Sequence, residues 1–213
     1  ELYLDNRQIS DVSGFTDLKN LTILHLNNNQ VSDLSALTSL TQLRILYLGN
    51  NQISDLSALS NLTQLAQLHL INNQVSDVTP LTGLAQLTYL NLHRNKINDL
   101  SALTSLTQLR DLHLYGNQIK DLSPLSNLKD LTFLSLDHNQ IRDVNTLTNL
   151  TKLVGLSLGK NQIKDVNALG DLTQLTTLDL HYNPEFTKAQ IDQLQKALPN
   201  CKIGHNTKKL NPN

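Results

Sequence analysis

Methionine is absent from this 213-residue chain, cysteine occurs once, and aromatic side chains make up only 4% of it. A single thiol, Cys201, excludes an internal disulfide framework, and it reads as a small buried residue rather than a reactive one. No apolar run approaches the 18 residues of a membrane-spanning helix, and no signal peptide is visible. The chain opens at Glu1 in the middle of a pattern and lacks methionine, so it is expected to be an excised or processed fragment. Charged residues are 16% and the net charge is -1, which leaves no electrostatic footprint for nucleic acid or an anionic membrane. Catalytic signatures are missing too. There is no phosphate-cradling Gly-rich loop, no G-x-S-x-G elbow and no H-E-x-x-H. No enzyme activity and no cofactor are expected. The polarity that remains rests on Asn, Gln, Ser and Thr, a balance that leans towards a bacterial cell-surface, periplasmic or secreted protein.

What is present is a repeat. The stretch Leu43 to Gln64, LRILYLGNNQISDLSALSNLTQ, restarts at Leu65, Leu87, Leu109, Leu131, Leu153 and Leu175, and starts first at Leu21. A fixed period of 22 residues outranks other signals and implies a solenoid, in which stacked neighbours build a core that one coil cannot. Around L-x-L the pattern alternates with period two. Leu46 and Leu48 therefore point inward, while Ile45, Tyr47 and Gly49 point outward from a short strand. Nine such strands about 4.8 Å apart would make a parallel sheet roughly 40 Å long. Residues 1–20 form a truncated first turn in which Arg7 takes the place of a recurring asparagine. The sequence shows no polar cap over this end, so a cap or further repeats are expected upstream.

Two polar columns accompany the leucines. Asn29, Asn51, Asn73, Asn95, Asn117, Asn139, Asn161 and Asn183 recur where the chain turns inward from the strand. There an amide can accept from and donate to backbone groups that water cannot reach. Asp33, Asp55, Asp77, Asp99, Asp121, Asp143 and Asp165 recur four residues later and are expected to accept from turn N–H groups. One carboxylate per coil offers too few oxygens for calcium. The convex segments are too short and too rich in Ser and Thr for regular helix, so 3₁₀ turns or extended backbone are expected. Pro80 and Pro124 share a phase that needs no backbone donor. The Asn-Leu-Thr triplets at Asn20, Asn61 and Asn149 match glycosylation acceptors but are the repeat's own wording.

The register stops after Asn183. Residues Thr187 to Leu198 read as an amphipathic helix with Thr187 as N-cap and Ile191, Leu194 and Leu198 on one face. Cys201, Lys202 and Ile203 could add a last strand. The expected organisation is repeats over 1–183, a helix-containing cap over 184–203 and a flexible tail over 204–213.

These residues resemble leucine-rich repeat proteins. The 22-residue length and the N-Q-I-x-D-L-x-x-L-x-x-L-T-x-L wording are similar to bacterial internalins and to the eukaryotic phosphatase-regulatory repeat protein. The resemblance implies an α/β fold: a right-handed leucine-rich-repeat solenoid with a parallel concave β-sheet, a 3₁₀ or extended convex side and a C-terminal helical cap. It also implies that the concave sheet binds a protein partner. The sequence shows neither the helical N-terminal cap nor the immunoglobulin-like domain of internalins, so binding of a host receptor is not carried over. Phosphatase contacts are not carried over either.

Function is then expected at outward positions that the repeat leaves free. All five tyrosines and six of the seven histidines fall there or just beyond the strands. The candidate partner-binding residues are Tyr47, His69, Ile71, Tyr89, His93, Asp111, His113, Tyr115, Phe133 and Asp137. Tyrosine supplies rigid contact area with a polar tip and little entropy to lose. The flank at Gly155, Ser157 and Gly159 is nearly bare and leaves room for a bulky partner element. Three other readings stand beside this one. The rings could merely stack across strands to stabilise the sheet. The chain could be a spacer for domains outside it. His69, His93 and His113, with Asp111 and Asp137 nearby, could hold zinc on an open surface. Histidines beside carboxylates would make binding pH-dependent. The chain is expected to be a monomer.

Overall fold

The structure is a computed structural model that describes residues 1–184 and 186–206. Most of the expected tail, 207–213, lies outside the described residues. Ten strands form one parallel sheet in sequence order. They are β1 (Leu2–Tyr3), β2 (Ile23–His25), β3 (Ile45–Tyr47), β4 (Gln67–His69), β5 (Tyr89–Asn91), β6 (Asp111–His113), β7 (Phe133–Ser135), β8 (Gly155–Ser157), β9 (Thr177–Asp179) and β10 (Lys202–Gly204). The register advances by one repeat per strand, so that Leu46 faces Leu68, Leu68 faces Leu90 and Leu90 faces Leu112. The final strand includes Gly204, which pairs with Asp179 one residue beyond the expected end at 203.

Each coil returns over a 3₁₀ turn, such as Ser57–Leu59 or Ser101–Ser105, so the convex side is 3₁₀ and not α-helical. Pro80 and Pro124 sit inside such turns, at Thr79–Leu81 and Ser123–Leu125. Asp55 Oδ1 accepts from the Ser57 amide at 2.8 Å and Asp99 Oδ1 from the Ser101 amide at 2.8 Å. The same bond recurs down the column and aims each turn.

Between the sheet and the turns, the leucines of all coils merge into one continuous core. The asparagines stitch this core at the inner bend. Asn117 Nδ2 donates to the carbonyls of Leu92 and Leu114, each at 3.0 Å, while its Oδ1 accepts from the Ile97 amide at 3.0 Å. One side chain thus satisfies buried backbone groups of two coils. At the first coil, where Arg7 stands, the Ile9 amide donates to Asn29 of the next coil as its counterparts do in the later repeats, and the Arg7 amide donates to the same Asn29 oxygen.

The last coil is covered by α1 (Lys188–Ala197). Thr187 closes its start: its side chain accepts from the Gln190 amide, and the Gln190 side chain accepts in return from the Thr187 amide. Ile191, Leu194, Leu198, Phe186 and Cys201 are buried beneath it.

Candidate functional surface

The outward face of the sheet carries the ten candidate residues, and each is half-buried. Tyr47, His69, Tyr89, Asp111, His113 and Phe133 lie within β3 to β7, while Ile71, His93, Tyr115 and Asp137 follow their strands by two residues. The rings are not scattered. Tyr3, His25, Tyr47 and His69 stack in order across β1 to β4, with centroids 4.5, 4.1 and 4.1 Å apart. Those three separations sit near the strand spacing itself, as cross-strand neighbours in matched register require.

At His69 the column changes lane. The matched position on β5 is Asn91, so His69 stacks on Tyr89 at 4.5 Å instead, and Tyr89 continues to His113 and Phe133 at 5.1 and 5.0 Å. A branch leaves His113 through His93 to Tyr115 and on to His138, at 5.1, 5.6 and 5.0 Å. The structure therefore joins seven of the ten candidates into one ring network, and Asp137 lies near its end, with its carboxylate on the Gly159 amide. Asp111 and Ile71 stand beside it. Ile71 is accommodated by Gly49, where a Cβ would lie 2.7 Å from Ile71 Cγ2.

Crowding sets the protonation of the histidines. Burial, and then the charge His113 would carry, push His69 down to about 4, and burial and His113 do the same to His93. Burial also lowers His113, against a smaller opposite pull from Asp111. His69 Nε2 and His93 Nε2 are enclosed with no hydrogen-bond partner among the described residues. Such atoms are tolerable in a neutral ring and costly in a charged one. The histidine–carboxylate pairs are at the two ends of the sheet, His25 with Asp5 at 3.5 Å and His181 with Asp179 at 2.6 Å. The central histidines are thus governed by desolvation, not by carboxylates as expected from sequence. Nor are they gathered around a common point: among the described residues no three His, Cys, Asp or Glu side chains are placed to hold a metal ion.

A pH dependence follows with a definite sign. The ordinary histidine value is 6.5, and the folded His69 and His93 titrate near 4. Between those values the unfolded chain binds protons that the folded chain refuses, so stability falls as pH drops from 6.5 towards 4 and levels off below. The His69→Phe/His93→Phe variant keeps the rings and removes the titration. Its urea midpoint should fall less than that of the wild type between pH 7 and 4.5; an equal fall would refute the assignment.

One column went unnoticed in the sequence. Asn6, Asn28, Asn50, Asn72, Arg94, His138, Lys160 and Tyr182 all have φ between 51 and 60°, and Gly116 has φ 70°. Asparagine and glycine suit this left-handed conformation, whereas arginine, lysine and tyrosine do so at a cost of ~1–2 kcal/mol each. In the N-terminal coils the asparagines form their own ladder, with Asn50 Nδ2 donating to Asn28 Oδ1 at 2.8 Å and Asn72 Nδ2 to Asn50 Oδ1 at 2.9 Å. From Arg94 onward the ladder is replaced by cations and rings. Arg94 lies 5.8 Å from the Tyr115 centroid and Lys160 lies 5.3 Å from that of Tyr182. The legible signal was the switch from a constant to a variable letter at residue 94.

Sequence and structure comparisons agree with this geometry. A family model described as leucine-rich repeats in two copies matches residues 1–39, 19–61, 41–83, 63–105, 107–149 and 151–199. Among solved structures, internalin C2 of Listeria monocytogenes is 39% identical, with 84% of this chain and 79% of that chain covered and a TM-score of 0.82. A second internalin of that organism, InlF, is 34% identical over 97% of this chain and 75% of its own, with a TM-score of 0.57. A leucine-rich repeat protein of Leptospira interrogans is 32% identical over 95% of this chain and 54% of its own, with a TM-score of 0.87. No curated protein matches the chain.

Proposed function

Because the chain belongs to the leucine-rich repeat family, and within it resembles the bacterial internalins, we propose that it is a protein-interaction module whose concave sheet engages a protein partner. The contact surface is the ring network with its flanking residues: Tyr47, His69, Ile71, Tyr89, His93, Asp111, His113, Tyr115, Phe133 and Asp137. The recognition unit is residues 1–183, closed by the cap over 184–203. We place its work outside the bacterial cytoplasm. No helix among the described residues is long and apolar enough to cross a membrane.

The observation that carries this reading is the stacked network itself. From His25 to Tyr89 neighbouring rings are stacked and cover one another's faces. Sugars and nucleobases seek open ring faces, which are largely taken here. A protein surface can use edges and polar tips. Mutual stacking also immobilises the side chains before any partner arrives, so little rotamer freedom is lost on binding. Stabilising the sheet and presenting a rigid contact surface are the same arrangement. Catalysis has no place in the reading: Cys201 is buried in the cap, and burial raises its thiol pKa, away from thiolate reactivity.

Affinity capture with the immobilised chain and with Tyr89→Ala/His113→Ala/Tyr115→Ala/Phe133→Ala tests the proposal. Proteins retained by the wild type should be captured at least ~tenfold more weakly by the variant, the effect of losing a few central anchors. Circular dichroism must show the variant folded. Equal capture by a folded variant would instead favour a spacer without a dedicated ligand on this face.

A further inference from the structure

We propose that the depression on the outward face of β8, between Tyr115 and Tyr182, is a receptor pocket for one basic side chain, lysine or arginine, of the protein partner. The proposal rests on the concave-sheet reading above and adds the chemistry of one anchor. The depression has a volume of about 320 Å³ and includes Tyr115, Asp137, Gly159, Lys160, Asp179 and Tyr182 in its lining. That is about ten times the ~30 Å³ share of a water molecule, room for a long side chain rather than for a loop.

The depression exists because β8 and the residues after it carry almost no bulk. A Cβ on Gly155 would lie 2.7 Å from the Phe133 ring. A Cβ on Gly159 would lie 3.0 Å from Asp137 Oδ1, 3.2 Å from the His181 carbonyl and 3.5 Å from Asp179 Oδ2. One point above Gly159 is therefore within 3.5 Å of an oxygen from each of two carboxylates. Asp137 is held in place by the Gly159 amide at 2.9 Å and by the Ser135 hydroxyl at 3.1 Å, and Asp179 by the His181 amide at 2.9 Å. Both donors to Asp137 are neutral, and burial, with a smaller contribution from Asp179, raises its carboxyl above the ordinary range. The His181 imidazole, at 2.6 Å from Asp179, is the other group set to meet these carboxylates.

Lys160 does not neutralise the pair. Lys160 lies over the Tyr182 ring, and among the described residues it forms no ion pair with Asp137 or Asp179. Its ammonium is 5.3 Å from the Tyr182 centroid, and Arg94 is likewise drawn to Tyr115. Two carboxylate oxygens close to one point in a depression suit an incoming cation, which gains charge-assisted hydrogen bonds there. An acidic side chain would meet the Asp137 and Asp179 carboxylates and is excluded by repulsion.

Nuclear magnetic resonance on the ¹⁵N-labelled chain tests this at low salt. The probes are N-acetyl-lysine methylamide and N-acetyl-arginine methylamide; the corresponding glutamate and glutamine compounds are controls. The Gly155, Gly159 and Lys160 amide signals should move saturably with the cationic probes alone. Asp137→Asn/Asp179→Asn should weaken that binding at least tenfold, and an otherwise unchanged spectrum shows the variant folded. Asparagine Oδ1 can still accept from the Gly159 amide, and Asp179→Asn alone provides a second folded variant. No response to the cationic probes, an equal response to glutamate or glutamine, or cation binding that survives the substitutions would each overturn the pocket. No partner is present in this experiment, so its failure is separate from a failure of the capture experiment with the ring variant.

Discussion

Leu112→Ala should destabilise the chain by about 3–5 kcal/mol, the range for large-to-small changes where the surroundings cannot close up. Leu112 is 0% exposed and lies on β6 in the middle of the sheet, facing Leu90 on one side and Leu134 on the other. A solenoid's stability is approximately a sum of repeat terms and neighbour terms, so a void here weakens one repeat and both of its interfaces. Among the described residues, contacts between the two halves run through such interfaces. Urea unfolding should show a lower midpoint, with separation into two transitions as cooperativity between the halves weakens. Leu2→Ala on the edge strand β1 is the contrast. Leu2 is only partly buried and has one neighbouring strand, so its loss should be clearly smaller. Equal losses at the two positions would contradict the neighbour-coupled picture.

Asn117→Ala should cost about 3 kcal/mol although it removes only one small polar side chain. The substitution strips partners from the Leu92 and Leu114 carbonyls and from the Ile97 amide. Each buried group left unpaired costs ~1–3 kcal/mol, and Asn117 is buried, though water entering the vacated space would recover part of the sum. Thermal or urea unfolding measures the loss. An exposed change on the same coil, Lys120→Ala, is the control and should stay within ~0.5 kcal/mol. A loss near that control would mean the asparagine column does not hold the bends.

These two positions were legible in the sequence for the same reason. Leu112 and Asn117 are fixed letters of a period, and in a stack every fixed letter meets its own copy one coil away. The cap was legible from local signals, with Thr187 before the apolar stripe of Ile191, Leu194 and Leu198. Its docking on the last coil follows because an exposed set of leucines needs cover. The ring surface was legible only as a set of positions. Nothing in the spacing said that His69 would leave the lane of Tyr47 for that of Tyr89, since the cause is a small polar residue, Asn91, at the matched place on the next strand.

The charges were least legible. Asp111 and Asp137 near the central histidines suggested pH-dependent binding through histidine–carboxylate neighbours, yet burial governs His93 and His113 and lowers both. The position of Lys160 over Tyr182, out of any ion pair with Asp137 or Asp179 among the described residues, depends on a left-handed backbone that the repeat imposes on whatever residue occupies that place.

The sequence by itself determined the coil, its inward leucines, its asparagine and aspartate bonds, and which residues remain free on the outer face. All of these depend only on offsets within one period, and the period is written in full. The tertiary structure alone decided which free residues touch, which histidines stay neutral and where two carboxylates converge over a glycine. Those outcomes depend on the volumes and charges of side chains one coil away, which differ from repeat to repeat and have no fixed offset to announce them.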